Sequence, residues 1–246
     1  MDLYNAYSDI INELFSKAKE RDEFEFCRAL LRFKSKDSDD WDALGESSKM
    51  IKDMLMLFSA PIDDLFRIRL LLLLYCNITQ MSAFYNIIAN LLLVASGERY
   101  REDPFGFMQD GGGAASCSPA EKVEIIAGIS DKAGLPQVGE LYRYMLVEEV
   151  RDAFFRSDYA VYKNVFRIIN GKGITVENTE TKVIPFEWLL RKIELTINVL
   201  LYLYYKIDEG RKSYREEKTV RGRVSDNEYK DVKLIADENG LKGLSF

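Results

Sequence analysis

Apolar residues return every three or four positions along most of the first 160 residues, the period of a helix that buries one face. Tyr7, Ile10, Ile11, Leu14, Phe15 and Ala18 form one such stripe; Met50, Met54, Leu55, Leu57 and Phe58 form another, ended by Pro61. Residues 62–75 and 80–94 are apolar on nearly all sides, as expected of two central helices joined near Asn77. Ser118-Pro119-Ala120-Glu121 reads as a helix start, with Ser118 as N-cap, Pro119 in the first turn and Glu121 reaching back to close a capping box. Helices are expected over 119–132 and 136–155.

The period then shortens. Residues 160–162, 165–169, 173–176 and 182–184 are β-prone pieces around Asn170-Gly171, a hairpin signal because both residues tolerate positive φ. A long helix is expected over 186–208, with Trp188, Leu189, Ile193, Ile197, Leu200, Leu201 and Tyr204 on one face. Three more strands are expected at 219–224, 231–235 and 241–245, separated by Asp226-Asn227 and Asn239-Gly240. The expected fold is mainly α: a helical bundle of about seven or eight helices over 1–210, with a small β insert near 160–185 and a basic, β-rich C-terminal appendage over 211–246.

A chain of 246 residues with 47% hydrophobic and 30% charged positions is ordinary globular material, long enough for a real core. Lys and Arg number 34 against 40 Asp and Glu, for a net charge of −6, so the surface as a whole does not attract nucleic acid. There is no histidine. That excludes Ser-His-Asp and Cys-His catalysis and any His-ligated metal. Cys27, Cys76 and Cys117 stand far apart, which fits neither a metal knuckle nor a disulfide framework and points to a reducing, cytoplasmic setting. The polar N-terminus lacks the pattern of a signal peptide, and the greasiest run, 70–76, falls short of the ~20 residues of a membrane span. No membrane association, cofactor or metal is expected. Asp37, Asp39, Asp40 and Asp42 lack the glycine and glutamate of a calcium loop and read as a solvated loop near Trp41. Gly111-Gly112-Gly113 lacks the Lys-Ser/Thr ending of a phosphate loop and reads as a linker.

Candidate chemistry is concentrated in Glu148-Glu149-Val150-Arg151-Asp152-Ala153-Phe154-Phe155-Arg156-Ser157-Asp158-Tyr159. Here the chain resembles the HEPN superfamily, all-helical domains that dimerise and often cleave RNA. Their usual motif is an arginine, a polar residue, a few variable residues and a histidine. Arg151 and Asp152 match the first two positions, and Arg156 stands where the histidine belongs. A guanidinium keeps its proton above pH ~12, so Arg156 holds phosphate but takes no proton. The resemblance therefore implies a homodimeric, non-catalytic binding or scaffold protein with RNA or a partner protein as ligand, Arg151 and Arg156 being the phosphate contacts. An alternative is a metal-independent endoribonuclease with Arg151, Asp152 and Tyr159 as catalytic residues, although a phenol ordinarily holds its proton to pH ~10. A third alternative is a structural interaction protein unrelated to that superfamily. On the plainer reading Arg151 pairs with Glu148 on a helix surface, and Phe154 and Phe155 are core anchors.

Residues 211–223 carry a net charge of +4. Arg221 and Arg223, two apart on a strand, project to one face and are candidate contacts for RNA or an acidic protein, or else protect a solvated sheet edge.

Overall fold

The computed structural model describes residues 2–32, 43–106, 117–225 and 228–245. Helix α1 (Leu3–Arg21) buries Ile10, Ile11, Leu14, Phe15 and Ala18, the stripe expected from the spacing. Asp22 then turns extended, and its carboxylate accepts the Glu25 amide at 3.0 Å; this starts α2 (Glu23–Arg32), which no periodicity announced. Next come α3 (Ala43–Leu57), α4 (Asp64–Ile78) and α5 (Ser82–Ala95). Every residue from Phe84 to Ala95 except Asn86 is buried, because α5 packs against α1, α2 and α6 (Pro119–Lys132). The capping box of α6 forms as expected: Ser118 Oγ accepts the Glu121 amide at 3.2 Å, and Glu121 Oε2 accepts the Ser118 amide at 2.7 Å.

Residues 136–155 are not one helix but two, α7 (Pro136–Met145) and α8 (Glu148–Phe155). Leu146 between them is extended and Val147, which is buried, is also non-helical, so the backbone ladder is interrupted. The hydroxyl of Tyr75, on α4, fills the interruption by donating to Met145 O at 2.9 Å and accepting the Val147 amide at 2.8 Å. A remote phenol thus takes the place of the missing helical bonds and aims α8 away from α7.

The β insert holds β1 (Tyr159–Tyr162), β2 (Val165–Ile168), β3 (Ile174–Val176), β4 (Thr179–Thr181) and β5 (Val183–Pro185). One antiparallel sheet has the order β1-β2-β5, and β3 pairs with β4. Asn170-Gly171 is not the hairpin turn it resembles. The two-residue turns are Lys163-Asn164 and Glu177-Asn178, the second with both residues at positive φ (49° and 67°), while Gly171, at φ 107°, sits in the connection from β2 to β3. α9 (Phe186–Lys212) returns against α1, α4 and α7. The C-terminal strands β6 (Lys218–Ser225), β7 (Glu228–Asp237) and β8 (Gly240–Ser245) form an antiparallel meander. Val220, Val232, Leu234 and Leu241 pack there on Phe24, Cys27 and Tyr214 as a second, smaller core. The protein is therefore mainly α-helical with a small β insert and a β-rich C-terminal appendage, and the split at Leu146 and the addition of α2 raise the described helices to nine. The acidic run 37–42 and the glycine run 111–113 lie outside the described residues.

One cation is locked inside this frame. Lys192 of α9 is buried; its ammonium donates to Tyr144 O at 2.7 Å and lies over the rings of Tyr144 and Trp188. Burial lowers its pKa to about 8. Because the unfolded chain then holds this proton to higher pH than the fold does, the contribution of Lys192 to stability rises with pH through the interval from about 8 toward the ordinary lysine value. Urea unfolding of wild type against Lys192→Met should show wild type gaining on the variant across that window. A constant difference would mean that the ammonium is as well solvated in the fold as outside it.

Candidate binding groove

α8 is brief, but its polar stripe is regular: Glu148, Asp152 and Arg156 recur every four residues. Glu148 and Glu149 occupy its first turn, where the helix dipole favours negative charge. The helix closes with Ser157 at φ 58°, its amide donating to Phe154 O at 3.1 Å and that of Asp158 to Ala153 O at 2.9 Å. This is the closing turn that glycine usually supplies. Asp158 next ties down the connection after β2, because its carbonyl accepts the Ile169 amide at 2.8 Å and its carboxylate accepts Asn170 Nδ2 at 2.9 Å.

Between α8 and that connection lies a groove of about 330 Å³, floored by Ala153 and Ile168. Four carboxylates line it, those of Glu148, Glu149, Asp152 and Asp158, against two cations, Arg156 and Lys172. Asp152 is already engaged by Arg151 at 2.7 Å and faces Arg156 at 3.8 Å. Glu149 and Asp158 have no cationic partner among the described residues.

The expected site residues are divided by this geometry. Arg151 and Arg156 meet different oxygens of the same carboxylate: the Arg156 side chain is 72% exposed and lines the groove, whereas that of Arg151 is 8% exposed and does not line it. The pairing of Arg151 with Glu148, at 3.3 Å, exists but is not a surface pair. Arg151 Nη1 has no hydrogen-bond partner among the described residues, and its charge partly offsets the burial that pushes the Cys76 thiol up to about 12. Tyr159 is stacked between Phe154 and Phe166, with ring centroids 5.2 Å apart on each side. Phe154 packs against the core, but Phe155 is not a core anchor, being 53% exposed.

No protein-family model, curated protein or solved structure matches the chain. The HEPN likeness thus rests on Arg151, Asp152 and their helical setting. Among the described residues no Cys, Asp and Glu side chains are grouped to hold a metal ion. Nor is any single helix there long and apolar enough to cross a membrane; α4 and α5 have the length together but meet at 47°, and α5 is buried by other helices.

The basic stretch is largely committed elsewhere. Arg211 donates to Leu30 O, Lys212 pairs with Asp208 at 2.7 Å, and Lys218 pairs with Glu23 at 2.7 Å. Val220 and Gly222 face inward, leaving Arg221 exposed and Arg223 half-buried on the other side. Arg221 lies over the Tyr229 ring, and the Arg223 carbonyl accepts from Arg99 at 3.2 Å.

Glu149, Asp158 and Lys172 carried no expectation as site residues. The four-residue polar repeat of α8 is legible in the sequence, but the fold-back of 169–172 onto Asp158 depends on a side chain meeting a loop twelve residues on.

Proposed function

We propose that this chain is a non-catalytic binding protein whose groove beside α8 accepts a basic segment of a partner protein. The observation that carries this reading is the charge of the groove, four carboxylates to two cations, with Glu149 and Asp158 lacking a cationic partner among the described residues. A lysine or arginine side chain gains two carboxylates there and an apolar floor for its stem. An RNA phosphate would meet net negative charge, and to reach the Arg151 guanidinium it would have to displace Glu148 and Asp152. The HEPN-like element is kept as a helical setting rather than as a cleavage site, since Arg151 is buried against Glu148 and Asp152, and Arg156 stands where that family's motif has a histidine. Three free thiols fit a reducing, cytoplasmic location.

Fluorescence anisotropy with a labelled Arg/Lys-rich peptide and a single-stranded RNA of equal length tests the choice. The peptide should bind, and Glu149→Gln with Asp158→Asn should weaken it about tenfold or more, a loss of about 1.4 kcal/mol. RNA should remain unbound and intact. RNA binding that disappears in Arg156→Gln with Lys172→Gln, or RNA cleavage abolished by Arg151→Ala, would reverse the reading toward the nucleic-acid alternatives.

A further inference from the structure

The groove beside α8 runs lengthwise along the helix. Glu148 and Glu149 line it from the first turn, Asp152 and Ala153 from the next, and Arg156 from the C-cap, so one face of α8 is a wall from end to end. Charge is not spread evenly along this wall. At mid-length Asp152 is held by Arg151 at 2.7 Å and faces Arg156 at 3.8 Å, while Ala153 and Ile168 are apolar. The two carboxylates with no cationic partner among the described residues, Glu149 and Asp158, stand toward opposite ends. From Glu149 to Arg156 is about 10 Å along a helix axis, and Asp158 follows just past that end, its amide on Ala153 O.

The facing wall narrows the choice of occupant. Residues 170–172 are exposed and take part in no backbone–backbone hydrogen bond among the described residues, and Gly171, at φ 107°, sets no side chain there. Their peptide groups are open to an extended chain laid along them. A helix with its side chains is about 10–12 Å across, too wide to enter a space of about 330 Å³ between α8 and a loop. An extended chain rises about 3.3 Å per residue and points alternate side chains the same way. Residues i and i+4 of such a chain stand about 13 Å apart on one side, enough to span Glu149 and Asp158, and residue i+2 then falls on Ala153 and Ile168. Residues i and i+2, about 7 Å apart, do not reach both ends.

Resting on the reading of the groove as a site for a basic segment, we propose that the segment is extended and carries two basic residues four apart with an apolar residue midway, one basic side chain pairing with Glu149 and the other with Asp158. The test is fluorescence anisotropy with labelled peptides of one length and one composition, each holding two arginines and a leucine among alanines and serines, with the second arginine at i+2, i+3, i+4 or i+7. The i+4 peptide should bind about tenfold more tightly than the others. The i+3 peptide is the sharpest control, because its arginines have nearly the same reach but point to opposite sides. Glu149→Gln should remove the advantage of the i+4 spacing. Equal affinity at every spacing, or a preference for i+7, the spacing of one helix face, overturns this proposal and leaves the groove reading standing. Failure of wild type to bind any of the four overturns both. An i+4 advantage that survives Glu149→Gln overturns the assignment of the two ends.

Discussion

Replacing Tyr75 by phenylalanine is expected to destabilise the fold by about 2–5 kcal/mol, although it removes a single oxygen. The ring stays, so no large cavity opens. What is lost is the one hydroxyl that both donates to Met145 O and accepts from the Val147 amide, in a residue with no exposed surface. Two buried backbone groups would then stand unpaired at the break between α7 and α8, each at a cost of about 1–3 kcal/mol. Urea denaturation should show a lower midpoint with an unchanged slope. A loss below about 1 kcal/mol would mean that the break closes into helix or is reached by water, and that Tyr75 does not define it. Because α8 carries one wall of the groove, Tyr75→Phe should also weaken peptide binding without touching a groove residue.

Gly240→Ala should have an effect of similar size by a different route. Gly240 has φ 105°, which L side chains rarely adopt, and a Cβ there would lie 2.5 Å from Arg211 O and 2.9 Å from the Lys212 amide nitrogen. Both obstacles are backbone at the end of α9, so nothing yields cheaply. Strain and overpacking together come to about 2–5 kcal/mol. The damage should be local. Hydrogen exchange ought to quicken across β6, β7 and β8 and around Phe24 and Tyr214, which share their small core, while α5 remains protected. Uniform quickening, α5 included, would show that the C-terminal sheet unfolds only with the bundle.

What could be read from the chain was whatever depends on near neighbours. The stripe of α1 and the Ser118–Glu121 capping box need only four to twelve residues to specify them, and both formed where the spacing placed them. The positive φ of Gly171 was legible too, but its topology was not. A residue that tolerates a turn does not say which strands flank it, and β2 found its second partner in β5, beyond the whole β3–β4 hairpin. The division of 136–155 was hidden for the same reason, since no proline or glycine stands at Leu146-Val147 and the cause is a tyrosine seventy residues earlier. At the site, the chemistry of Arg151 was visible and its direction was not. An arginine flanked by acids reads as a surface group, yet α8 packs against α4 and this side chain is buried and absent from the groove lining. The polar residues that do line the groove look, in sequence, like ordinary solvent-facing positions of a helix and a loop.

The most direct test of the groove as a site for a basic segment is a two-dimensional amide NMR titration of the intact protein with the Arg/Lys-rich peptide. Shifts should be confined to α8 and to the 169–172 connection, with Glu149, Asp158 and Gly171 among the largest, and should be absent in the Glu149→Gln, Asp158→Asn variant. Shifts centred on β6 and β7, or a groove that responds to RNA and not to the peptide, would contradict it.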